Sequence, residues 1–141
     1  MQVLLLALLL LLPLTVQAEY LGNLSANEFD ANSTANSYGA GNPFAPNSIT
    51  NEFGHYGNPY SNQSASNPYA TDAPRLYDQQ GQYRGKLSTN PYDPDSTSNA
   101  YGRYGNPYSP DSLNNPFCAG NPYDPSSPTN PYGSGWRIEG R

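Results

Sequence analysis

Apolar and polar positions follow three rhythms along this chain. Residues 3 to 16, VLLLALLLLLPLTV, are almost wholly apolar. From residue 20 to 135 the apolar positions are mainly aromatic, and they recur in a triplet of Asn, a small, charged or Pro residue, then Tyr or Phe. The triplet aromatics are Phe29, Tyr38, Phe44, Phe53, Tyr60 and Tyr69, then Tyr92, Tyr101, Tyr108, Phe117, Tyr123 and Tyr132. Spacings run 9, 6, 9, 7, 9 in the first set and 9, 7, 9, 6, 9 in the second. Regularity of this kind predicts a repeat architecture. Pro or Gly in almost every arm leaves no helical period, so the repeats are expected to be irregular or β, and rich in turns.

The third rhythm lies between the two sets, in residues 70–89, ATDAPRLYDQQGQYRGKLST. Leu76-Tyr77 and the run Tyr83 to Leu87 flank Asp78-Gln79-Gln80-Gly81, a β-hairpin signal. The stretch Tyr83 to Asn90, YRGKLSTN, matches Tyr20 to Asn27, YLGNLSAN. That match predicts an internal duplication whose N-terminal copy keeps only the second hairpin strand, carrying Tyr20 and Leu24. The chain ends with Gly135-Trp136-Arg137-Ile138-Glu139, which is similar to Pro74-Arg75-Leu76-Tyr77-Asp78. Trp136 and Ile138 are therefore expected on a C-terminal strand that pairs with the N-terminal one. The pairing would form either within one chain or head to tail between chains. The expected organisation is a signal segment at 1–18, a first repeat half at 19–69, the hairpin at 70–89, a second half at 90–135 and a terminal strand at 136–141.

Within the repeats, the residue before Pro favours extended backbone, and Asn there can cap a turn with its own side chain. The long arm carries Ser at its seventh position in all six copies: Ser33, Ser48, Ser64, Ser96, Ser112 and Ser127. The Pro-Asn/Asp-Ser segment reads as a type I turn. The Gly that ends each short arm is expected to supply positive φ. The run LYDQQGQYRGKLSTNPYDPDSTSNAYGRYGNPYSPDSLNNPF resembles a family of small bacterial secreted proteins built from NPYD and NPYG repeats. The resemblance covers essentially residues 19–141 and implies export and architecture rather than an activity. Pro is lost at Glu28, Ser37, Glu52 and Ala100, where the arms are expected to be less rigid.

The apolar N-terminal run is shorter than the ~20 residues of a membrane span. With the small-x-small pattern Val16-Gln17-Ala18 it reads as a helical signal peptide cleaved before Glu19, leaving no stable membrane span. The chain is thus expected to be exported, to the periplasm or the outside. Beyond residue 18 only seven Leu or Ile residues remain. Seven side chains at ~1.5–3 kcal/mol each do not offset backbone ordering at ~1–2 kcal/mol per residue. That arithmetic predicts a core of stacked Tyr and Phe, weighed above a ligand platform of exposed rings.

A formal net charge of −5 argues against nucleic acid. His55, the one histidine, occupies the slot that Arg103 fills in the other half, which favours a solvent-facing turn residue. Cys118 has no second Cys to pair with in the chain. The repeated Ser residues have no His base beside them, and turn hydrogen bonding accounts for them better than catalysis. Asp93 and Asp95, with Asp30, Asn32, Asn47, Asp111 and Asp124 at related positions, offer oxygens that calcium could use. They lack the full carboxylate set of a calcium loop, and no cofactor is expected. Asn42-Pro43-Phe44 and Asn115-Pro116-Phe117 match an endocytic adaptor motif but are explained by the repeat. Asn23, Asn32 and Asn62 begin sequons that matter only in a glycosylating host.

Two readings follow. One is a non-enzymatic exported repeat protein with a structural or surface-assembly role, whose partner is another copy of itself. The other is a module that binds carbohydrate or cell envelope polysaccharide through its Tyr and Asn triplets.

Overall fold

The computed structural model describes residues 18–141. The segment expected to be a signal peptide, apart from Ala18, lies outside the described residues. The regular structure is one antiparallel sheet of four strands: β1 (Glu19–Leu24), β2 (Arg75–Tyr77), β3 (Tyr83–Lys86) and β4 (Trp136–Gly140), in the order β1-β4-β2-β3. The remaining described chain is turn and loop, with no helix.

The C-terminal strand sits at the centre of the sheet. It pairs with β1 on one side, Glu19 against Gly140 and Leu24 against Trp136. On its other side Leu76 faces Ile138 and Tyr77 faces Arg137. The β2–β3 hairpin pairs Arg75 with Lys86 and Tyr77 with Tyr83. The order therefore reads alike from either edge: an outer strand, two inner strands, an outer strand. Gly22 in β1 and Gly85 in β3 take positive φ, +103° and +93°. A Cβ there would meet Ala40 Cβ at 2.6 Å and Asp95 O at 2.6 Å respectively, so only Gly admits both the backbone and the neighbour.

Both outer strands are covered. Asn23 bridges to Ser33 and Lys86 to Ser96, each as a parallel pair. Asn23 N–H donates to Asn32 O at 2.6 Å and Thr34 N–H to Asn23 O at 3.0 Å. The Lys86 bonds, to Asp95 O and from Thr97 N–H, are 2.8 and 3.0 Å. Neither edge is left as a bare row of donors and acceptors at these positions.

Leu21, Leu76, Trp136, Ile138 and Tyr56 form the buried cluster, with Leu24, Ile49, Leu87, Leu113 and Ala119 packed against it. Tyr104 is buried too, edge-on to Tyr83 at 5.5 Å between ring centres. The expected core of stacked triplet rings is overturned: all twelve triplet aromatics are exposed, by 82–97%. The core instead joins a few aliphatics of the sheet to non-triplet aromatics.

Candidate functional site

The rings point outward because of how each triplet closes. In every one of the twelve, the Asn Oδ1 accepts the N–H of the aromatic two residues on, at 2.9–3.1 Å. This is an Asx-turn, and it holds the aromatic at the turn's outer corner. The second Asn of each pair also uses its Nδ2, which donates to the carbonyl six residues upstream. Asn36 reaches Asp30 O, Asn51 Ala45 O, Asn67 Ser61 O, Asn99 Asp93 O, Asn115 Ser109 O and Asn130 Asp124 O, at 2.9–3.2 Å.

Turns then follow one another every three residues. From Asn42 the N–H to O bonds run Ala45 to Asn42, Ser48 to Ala45, Asn51 to Ser48, Gly54 to Asn51 and Gly57 to Gly54. The unit from Asn42 is thus five consecutive turns, where extended backbone is expected before each Pro. A coil this tight has an interior too narrow for a ring.

The interior is filled by hydroxyls and backbone. The six repeated serines are 0–2% exposed. Each accepts the N–H two residues on, at 3.0–3.3 Å. Ser33, Ser48, Ser96 and Ser127 also donate to the carbonyl eight residues upstream. A buried hydroxyl with partners on both sides carries no desolvation penalty of an unmatched polar group.

Of the Gly residues that end the short arms, Gly135 takes positive φ, +71°, as expected, whereas Gly41, Gly57, Gly105 and Gly120 do not. These four are required by contact. A Cβ at Gly41, Gly57, Gly105 or Gly120 would lie 2.0–2.2 Å from a backbone carbonyl oxygen.

The outer surface is therefore a series of rings rooted on Pro, Glu or small residues. No triplet ring takes part in the ring–ring contacts among the described residues, which involve His55, Tyr56, Tyr77, Tyr83 and Tyr104. Neighbouring rings stand apart and bound shallow clefts. Pro122, Tyr123, Asn130, Pro131 and Tyr132 line one of about 440 Å³. Pro68, Tyr69, Asn90, Pro91 and Tyr92 line another of about 360 Å³. Phe29 and Tyr38 share one cleft, and Tyr38 and Phe44 the next. The Tyr69–Tyr92 cleft spans the seam between the two repeat sets, so the array continues past the hairpin. At the far seam Ser25 Oγ and Asn27 Nδ2 donate to Gly133 O.

The hairpin and terminal residues serve the sheet. Leu76 and Ile138 are wholly buried and Trp136 nearly so, with Arg84 over its ring at 5.5 Å. Arg137 lies over Tyr20 at 4.8 Å. Tyr83 donates to Asp95 Oδ2 at 3.1 Å. Tyr56 lies in a short arm, outside the triplets, and nothing in its sequence pattern marks it for burial. Its hydroxyl donates to Glu19 Oε2 at 2.8 Å, tying a short arm to the first strand.

Burial, then the Glu19 hydrogen bond, pushes the Tyr56 phenol up to about 12. Burial and Asp95 raise Tyr83 as well, and burial raises Tyr20. Phenols that ionise less readily when folded favour the fold at and below their unfolded value of about 10. That contribution is lost as pH climbs through the folded values. An alkaline titration followed by near-UV circular dichroism should show tertiary signal held to about pH 10 and falling by about pH 12. Loss well below pH 10 would contradict this assignment.

The oxygens considered for calcium are engaged separately. Asp93 Oδ2 meets Lys86 Nζ at 3.2 Å, and Asp111 takes Arg84 at 3.0 Å and Arg103 at 2.7 Å. Asp124 Oδ1 accepts from Ser126, which holds its carboxyl below the usual range. Among the described residues no three His, Cys, Asp or Glu side chains converge as metal ligands. His55 is exposed and edge-on to Tyr56 at 4.9 Å, and Cys118 is exposed.

In comparisons with protein-family models, with curated proteins and with solved structures, nothing matched this chain.

Proposed function

We propose that the chain is a non-enzymatic exported repeat protein, periplasmic or extracellular, that binds polysaccharide of the cell envelope through its aromatic array. The observation that carries this reading is the outward placement of all twelve triplet rings. An exposed apolar surface of this extent marks an interaction face. Clefts bounded by two rings and floored by Pro and Asn suit a sugar ring, whose C–H face stacks on aromatics while its hydroxyls meet polar neighbours. Residues 19–69 and 90–135 are read as two copies of one unit closed by the sheet, so the array would present many equivalent weak sites. Repetition of weak sites raises overall retention on a polymer.

The test is co-sedimentation with insoluble peptidoglycan and other envelope polysaccharides. Tyr101→Ser and Tyr123→Ser together should leave unfolding almost unchanged, since exposed substitutions cost about 0.5 kcal/mol or less each. Retention should fall roughly tenfold, if each lost stack is worth ~0.5–1.5 kcal/mol. Unchanged retention would remove the array from the function. A second reading, surface assembly among copies of the chain, rests on the same exposed rings. Concentration-dependent association without any glycan would favour it over polysaccharide binding.

A further inference from the structure

Eight of the twelve triplet rings are tyrosines and four are phenylalanines. Two clefts are bounded by tyrosine on both sides: Tyr69 with Tyr92, and Tyr123 with Tyr132. These rings are 83–89% exposed, and none of their hydroxyls is hydrogen-bonded within the described residues. The tyrosine hydroxyls that do donate there are those of Tyr20, Tyr56 and Tyr83. Beside these four, Tyr38, Tyr60, Tyr101 and Tyr108 are exposed phenols that line neither of these two clefts. The one Met is Met1, the one Trp is buried, and Cys118 is the one thiol.

From this pairing we infer that the two clefts are sites of oxidative cross-linking, each closing as a dityrosine under a peroxidase with hydrogen peroxide. The step balances as follows. Each phenol gives up one electron and its hydroxyl proton, and the two resulting radicals join through a new carbon–carbon bond between ring positions ortho to oxygen. The hydrogens on those carbons then shift to the oxygens and restore both phenols. One peroxide takes the two electrons and two protons and leaves as two waters. Both tyrosines of each pair line the same cleft, and two phenols held on one chain meet at an effective concentration in the millimolar range, which favours the link within a chain over one between chains. The Tyr69–Tyr92 link would staple the chain on either side of the hairpin. A chain with a single Cys has no internal disulfide to do so.

The experiment treats the purified full chain, carrying Cys118→Ser to remove the competing thiol, with a haem peroxidase and hydrogen peroxide. Trypsin then cuts at Arg75, Arg84, Lys86, Arg103 and Arg137. Tyr69 and Tyr92 fall on separate peptides, so their link appears as a cross-linked pair. Tyr123 and Tyr132 share the peptide 104–137, where the link appears as the loss of two hydrogens. Tyr92→Phe should reduce the first product at least tenfold and spare the second, and Tyr132→Phe should do the reverse. Both variants keep an exposed ring and should fold. Dityrosine found only between chains, spread over the exposed tyrosines regardless of these variants, or not formed at all, would overturn the assignment. None of those results bears on polysaccharide retention, which is measured without oxidant.

Discussion

Deletion of residues 136–141 is expected to abolish the cooperative unfolding transition. The strand it removes is an inner one, bonded to β1 on one side and β2 on the other, and it is the strand that joins β1 to the sheet. Trp136 and Ile138, at 3% and 0% exposure, leave with it, and Leu76 loses the residue it faces. Core truncations of this size cost about 3–5 kcal/mol for a Trp and 2–5 for an Ile. Total stability of a domain is about 5–15 kcal/mol, and here much of the buried apolar surface belongs to one small cluster. A thermal melt by near-UV circular dichroism of the shortened chain should be flat. A melt with the midpoint of the intact protein would show that the turn coils stand without the sheet. A melt restored only at high protein concentration would show that strands exchanged between chains replace the missing pair.

Gly105→Ala should be among the most damaging single methyls in the repeats. The added Cβ would lie 2.1 Å from Asn99 O and 2.7 Å from Asn99 C. Both are backbone atoms of the preceding triplet, so no side-chain rotation relieves the clash. The coil must open by more than an ångström to reach ordinary contact, at a cost of about 3 kcal/mol. Gly81→Ala is the informative contrast. Gly81 has φ +81° and open space around it, so its cost is conformational alone, about 1–2 kcal/mol. Urea denaturation of the two variants should rank Gly105→Ala as the less stable. The reverse order would mean that the coils are looser than their hydrogen bonds imply.

Much of the β content could be read from the sequence, and the direction of the rings could not. The alternation around Asp78-Gln79-Gln80-Gly81 predicts the strands of a hairpin, because a period of two and a Gly-ending turn are local signals. The likeness of Trp136–Ile138 to the first hairpin strand points to a further strand in the same way. The rings were assigned inward on the premise that apolar surface must be buried and that too few aliphatics remain to do it. That premise fails where the interior is narrower than a side chain. In these coils Ser33, Ser48 and their counterparts occupy the inside because a hydroxyl with two backbone partners fits where a ring cannot. A sequence signal for this existed. Ser is invariant at the seventh position, whereas Tyr and Phe interchange freely at the third. A site that accepts or drops a phenol oxygen without compensation is one that faces water. The close approach at Gly57, Gly105 and Gly120 is a tertiary fact, and in sequence it is indistinguishable from a need for positive φ.

The central position of β4 bears on the order in which the chain is strung. Glu19 stands opposite Gly140, and the Tyr56 hydroxyl touches both Glu19 and the Arg141 carbonyl, at 2.8 and 3.4 Å. Strands β4 and β1 thus pair antiparallel as β2 and β3 do, the latter joined by the loop at Gln79-Gln80-Gly81. The sheet pairs its strands alike with and without such a loop. A circularly permuted chain, closed between Arg141 and Glu19 and opened beside Gly81, would have the same strand pairings and the same bonds at both seams. The fold belongs to the pairings rather than to the sequence position at which the polypeptide starts.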